Sequence, residues 1–237
     1  MLNKLGKLLK YEFRFYFRIL PPIYLIIMLI ALVIRFQGLS LRNYYMPEKY
    51  LLVMLSGAII IAMSVITIIL VIQRYTDNFL KDAGSLMFSL PVTVWALLVS
   101  KAIAALCMIL IGFLSVMVST VISSIGTENW DFILNFIPKN PNDIINAVAA
   151  ILLFPLQQIC LFYAVITISY MLPRFRNQAA LIMYFLVMFF IGQFTFRVIE
   201  RSAEDIMPLI RSLTSFIFVA LFFCITGFLL KRSYNLE

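Results

Sequence analysis

Charge disappears from six long stretches of this chain, at residues 19–34, 50–73, 102–127, 144–173, 177–196 and 212–230. An Asp, Lys or Arg held at the centre of a bilayer costs about 3 kcal/mol even on the lenient insertion scale, so runs emptied of charge are what membrane spans require. A helix rising about 1.5 Å per residue covers the hydrocarbon layer with roughly 20 residues. The runs hold 16, 24, 26, 30, 20 and 19 residues, so each suits one crossing. Arg18 and Arg35 can snorkel to the interfaces and rescue the short first run, and Pro155 predicts a bend near the middle of the long fourth one.

Composition closes the soluble alternatives. With 63% hydrophobic residues, 13% charged ones and a mean hydropathy of +1.02, a water-soluble fold would have nowhere to put its apolar surface. A seventh uncharged run, at 83–100, is interrupted by Pro91 and passes through Lys101 straight into the third run, which leaves no loop in which to turn. It reads as an interfacial helix, a break and the start of span three. The expected fold is all-α and integral to the membrane, one domain over 1–237. It has an N-terminal interfacial helix over 1–18, spans at about 19–36, 51–73, 96–124, 144–172, 178–197 and 213–230, and a short helix at about 77–90 between spans two and three.

Orientation follows from Lys and Arg counted on alternate sides. Placing the N-terminus inside puts twelve of the nineteen basic residues on the cytoplasmic face and seven outside, which predicts a multi-pass protein of the cell membrane with both termini cytoplasmic. The inner charges are spread over four short segments that flank apolar spans. They read as topology signals and contacts with the phospholipid bilayer, not as a nucleic-acid surface. The run after Arg18 opens on Pro21 and Pro22 and lacks a small-residue cleavage pattern, so it is expected to stay as an anchor.

Several chemistries have no residues to carry them. The chain has no histidine, and its three cysteines, Cys107, Cys160 and Cys224, fall in three different spans, as buried free thiols would. No catalytic residue and no metal site are expected. No Gly-x-x-x-x-Gly-Lys-Ser/Thr loop occurs, which rules out ATP binding by that route. The strongest polar groups within spans are Gln157, Gln158 and Gln193 and hydroxyls such as Ser64, Thr67, Ser115, Ser119 and Thr167, which are expected to hydrogen-bond between helices. Gln157 stands out, because a glutamine pair beside Pro155 joins polarity to a helix break.

Two segments outside the spans are patterned. Residues 1–18 set Leu2, Leu5, Leu9, Phe13 and Tyr16 against Lys4, Lys7, Arg14 and Arg18, as an interfacial helix does. After span two, Phe79, Leu80, Ala83, Leu86, Met87 and Leu90 share one helical face, with Asp77, Lys81 and Asp82 on the other. Gly84 permits a bend and Pro91 sets the exit angle.

These residues resemble a known family, the membrane-spanning permease subunits of type-2 ABC exporters, in particular the bacterial ones linked to antimicrobial-peptide or lantibiotic export and immunity. The resemblance rests on Leu9-Lys10-Tyr11-Glu12-Phe13-Arg14 before span one. It rests also on Asp82-Ala83-Gly84-Ser85-Leu86-Met87 running through Ser89-Leu90-Pro91-Val92 to Ser100-Lys101. Ala83 departs from it, since relatives commonly carry a glutamate there. The resemblance implies that 77–90 is a coupling helix which docks into a separate ABC ATPase subunit through Asp77, Phe79, Leu80, Asp82, Gly84, Leu86, Met87, Leu90 and Pro91. ATP and Mg would sit on that partner, with no cofactor on this chain. It further implies a second permease subunit, identical or paralogous, and a path for an amphipathic peptide or other hydrophobic cargo. Met63, Ser64, Thr67, Gln157, Phe185, Met188, Phe189 and Gln193 would line that path, and a short lid helix would lie within 200–213.

Two other classes remain beside the transporter. A membrane-embedded enzyme such as a prenyl-protein protease needs glutamates and histidines in its spans, and a non-catalytic sensor or assembly factor needs none of the features above. The charge distribution itself is testable: a reporter fused after Glu237 is expected to respond only from the cytoplasmic side, and exclusive accessibility from outside would invert the topology.

Overall fold

The computed structural model describes residues 2–40, 47–80, 93–124, 141–172, 175–200 and 207–233. They form six α-helices: α1 (Leu2–Ser40), α2 (Pro47–Phe79), α3 (Val94–Ser124), α4 (Pro141–Tyr170), α5 (Arg176–Glu200) and α6 (Met207–Ser233). All six are long and apolar enough to cross a bilayer, and this is a membrane protein with transmembrane helices. Each helix overruns its charge-free stretch at one end or both. Extending a helix past the hydrocarbon satisfies backbone groups internally while long basic side chains reach back to water. Thus α1 continues without interruption from the N-terminal segment into the first span, through Pro21 and Pro22, and α4 continues through Pro155.

The chain divides into two compact units. The first comprises residues 1–9, 72–106 and 140–237. Its centre is α4, half of whose apolar window is buried, against 6% for α5. Cys160, Leu161, Ala164 and Val165 of α4 meet Ile191 of α5 and Phe222 of α6, with Met183, Tyr184, Val187, Met188 and Phe218 packed around them. Small side chains at Cys160 and Ala164, one turn apart, let neighbouring helices approach closely, which is how apolar helices gain packing energy in lipid. Tyr184 lies flat on Phe162 at 4.5 Å and donates its hydroxyl to Gln158 Oε1 at 3.0 Å, joining α5 to α4. Trp95, near the start of α3, contacts Phe223 and Phe228 of α6 and lies over Gly227.

The second unit comprises residues 10–71 and 107–139. Glu12, Tyr16, Leu20, Tyr24, Ile27 and Ala31 form the buried stripe of α1, and Met63, Thr67 and Val71 that of α2. Tyr24 is the node. Its hydroxyl donates to the Met108 carbonyl at 3.2 Å and lies 3.3 Å from Thr67 Oγ1, so one side chain ties α1 to both α2 and α3. Gly112 of α3 leaves the space that the tyrosine ring fills, since a Cβ there would stand 2.9 Å from Tyr24 Oη.

The cysteines do not share one environment. Cys160 is buried as expected, Cys107 is partly covered, and Cys224 faces outward. A thiol is apolar enough to face lipid, so lying within a span did not require burial.

A methyl group at Gly227 would overlap the Trp95 ring. Gly227→Ala is therefore expected to lower stability by about 1–3 kcal/mol, read as a lower thermal unfolding midpoint of the detergent-solubilised protein. Adding Trp95→Leu should restore part of the loss, whereas strictly additive losses would exclude the contact as its cause.

Candidate functional site

The last turn of α2 carries three buried residues on one face, Tyr75, Asn78 and Phe79, spaced i, i+3, i+4. Leu80 closes the turn, its N–H donating to the Thr76 carbonyl at 2.9 Å. At the start of α3 the Thr93 carbonyl accepts from the N–H groups of Ala96 and Leu97. On α3, Ala96, Leu97, Leu98, Ser100, Lys101, Ala102, Ala104 and Ala105 are buried, so this part of the helix is enclosed on most sides, and Lys101 is only 3% exposed.

An enclosed ammonium group needs acceptors, because an unpaired buried charge costs several kcal/mol. With the Asn78 amide oriented so that its oxygen faces the two cations, that oxygen accepts from Lys101 Nζ at 2.5 Å and from Arg74 Nε at 3.2 Å. Lys101 Nζ also stands 5.2 Å from the centroid of the Phe79 ring, within range of a cation–π attraction that strengthens when water is excluded. The end of α2 is thereby held to the beginning of α3.

A second tie runs from the same turn to α4. The rings of Tyr75 and Tyr163 stack at 4.0 Å with 10° between their planes, and Tyr75 Oη lies 2.6 Å from Thr167 Oγ1. Thr167 commits its own proton to the Tyr163 carbonyl at 2.7 Å, so Tyr75 is the donor. Asn78, Lys101, Tyr75, Tyr163 and Thr167 form one polar clasp that joins three helices within the first unit. Among the described residues no group of three His, Cys, Asp or Glu stands together to hold a metal ion.

Of the residues expected to couple to an ATPase, Asp77 is exposed, Phe79 is buried and Leu80 is partly covered. Residues 77–79 are the final turn of α2 itself. Asp82, Gly84, Leu86, Met87, Leu90 and Pro91 lie outside the described residues, as do residues 201–206 of the expected lid; α6 already begins at Met207.

The residues expected along a cargo path separate by environment. In the second unit, Met63 and Thr67 are buried and Ser64 is exposed. In the first, Gln157 is buried, Met188 packs against the α4–α6 core, and Phe185, Phe189 and Gln193 face outward from α5. The span hydroxyls mostly do not bridge helices. Ser64, Ser115 and Ser119 donate to carbonyls three or four residues back in their own helices, because in an apolar medium the nearest acceptor is always in the preceding turn. Thr67 and Thr167 do both, each donating within its helix while meeting a tyrosine from another.

Lys101 and Asn78 were not singled out as functional by sequence alone. A lysine at the edge of an apolar run signals topology unless its partner is identified, and Asn78 is remote from it in sequence. No family model, curated protein or solved structure matches this chain.

Removing Asn78 would leave two cations without this acceptor, while removing Lys101 would leave the amide oxygen its bond to Arg74. Asn78→Leu is expected to cost about 3 kcal/mol and Lys101→Met less. The double variant should cost less than the sum, as measured by thermal unfolding in detergent, and simple additivity would exclude the pair as a unit.

Proposed function

We propose that this chain is the permease subunit of an ATP-driven ABC exporter, moving an amphipathic peptide or similarly hydrophobic cargo with energy supplied by a separate ATPase subunit. The observation that carries this reading is the combination of a helix-patterned segment with the clasp at its two ends. Residues 81–92 bear the Asp82-to-Pro91 pattern, and they are bounded by Asn78 and Lys101, which bond to each other. In this reading a force applied to the segment is passed to the Asn78–Lys101 bond. It reaches α2, α3 and, through Tyr75, α4 together.

The inventory of the chain agrees with that division of labour. It lacks a phosphate-binding loop and any histidine, so in this reading ATP and Mg belong to the partner. The segment 77–90 lies on the cytoplasmic side with both termini, where the ATPase docks. A second permease, identical or paralogous, completes the path, and Ser64, Phe185, Phe189 and Gln193, which face outward in their own units, are its cargo-side candidates. Exposed Phe side chains suit an amphipathic peptide because they offer apolar contact without fixed hydrogen-bond geometry.

Co-purification with the ATPase encoded beside it, followed by reconstitution, tests the proposal. Leu86→Asp or Gly84→Trp is expected to reduce cargo-stimulated ATP hydrolysis and export by at least about tenfold while the permease remains folded. Unchanged export in both variants would refute the coupling assignment. Failure to bind any ATPase would favour a sensor or assembly factor.

A further inference from the structure

We propose that the outward face of α1 at Lys10, Tyr11, Arg14, Phe17 and Arg18 binds the headgroups of acidic phospholipids in preference to zwitterionic ones. Exposure along this stretch follows the helical repeat. Residues 10, 11, 14, 17 and 18 are exposed, whereas 12, 16 and 20 are buried. Three cations and two aromatic rings therefore occupy one face, with Tyr11 58% and Phe17 53% exposed. The one acidic residue among 10–18, Glu12, is turned to the buried face.

Depth follows from the helix geometry. The charge-free run at 19–34 has 16 residues and covers roughly 24 Å at 1.5 Å per residue, less than the hydrocarbon thickness of about 30 Å. Arg18 is consequently held at the inner edge of a headgroup layer. Lys10, Arg14 and Arg18 stand about 6 Å apart along the axis, and their long stems bring all three charges into that layer. Pro21 and Pro22 lack the N–H groups that would bond the carbonyls of Phe17 and Arg18. Those carbonyls are least costly where water and headgroups reach them, which places the same level of α1 at the interface. Exposed Tyr and Phe among the cations suit this boundary, with rings toward the acyl chains. A guanidinium ladder beside phosphates gains most from lipids with net negative charge, because a zwitterionic headgroup brings its own cation to compete. The site requires only that α1 spans the bilayer and holds whether or not the chain transports cargo.

The test is native mass spectrometry of the full chain in detergent with equimolar phosphatidylglycerol and phosphatidylcholine of matched acyl chains. The wild type is expected to retain phosphatidylglycerol with at least about tenfold preference. Lys10→Gln/Arg14→Gln/Arg18→Gln should fall to near parity, and Arg14→Lys/Arg18→Lys should keep most of the preference. Should the triple variant fail to fold, Arg14→Gln alone decides, with an expected loss of about fivefold. Equal uptake of both lipids by the wild type, or a preference undiminished in the glutamine variants, would overturn the site. Displacement of phosphatidylglycerol by polyglutamate at matched charge would assign the face to an acidic protein segment and overturn the lipid assignment.

Discussion

Within hydrocarbon a polar group cannot turn to solvent for relief, and every hydroxyl, amide and ammonium of this protein has to be accommodated under that constraint. Serines meet it within their own helices by donating to a carbonyl one turn back. Only where a side chain is long enough to leave its own turn does a polar bond become a tie between helices. The tyrosines do this. Tyr24 joins α1 to α2 and α3, Tyr75 joins α2 to α4, and Tyr184 joins α5 to α4. Each combines a ring that packs among apolar neighbours with a hydroxyl that reaches a specific acceptor. In lipid, where apolar surfaces gain little from meeting each other, such reach supplies much of the specificity.

The cations are handled differently. Lys101 could have snorkelled outward as a boundary charge, yet it is enclosed and shares an amide oxygen with Arg74. Enclosing it fixes the distance between the end of α2 and the start of α3. The exposed basic residues of α1 follow the opposite course and keep their charge on the outer face of the helix. One residue class is thus enclosed in one place and exposed in another, and only the surroundings decide which.

The six membrane-length helices among the described residues were legible in the sequence because the cost of charge in lipid is steep and local, so a one-dimensional reading of charge finds each of them. Helix ends were less legible. The last turn of α2 reaches Phe79, beyond the charge-free run, since Arg74 and Asp77 are compatible with a helix emerging into the interface. The clasp was not legible, because it depends on Asn78 meeting Lys101 and Tyr75 meeting Thr167, pairs separated by many residues and marked by no spacing rule. Gln157 and Gln158 illustrate the same gap. The sequence favoured Gln157 for a place on the cargo path, whereas the bond from Gln158 to Tyr184 of another helix was marked by no spacing rule.

Helix α5 differs from its neighbours in how little of it is covered, with most of its aromatic side chains turned outward. A helix so little covered relies mainly on its own apolarity in lipid, so it can enter the bilayer during synthesis before α6 exists. Apart from the cargo-side candidates Phe185, Phe189 and Gln193, its outward positions need only be apolar, so Phe, Leu and Ile can exchange there with little penalty. The α4 face around Cys160 and Ala164, where close approach forbids larger side chains, should change far more slowly.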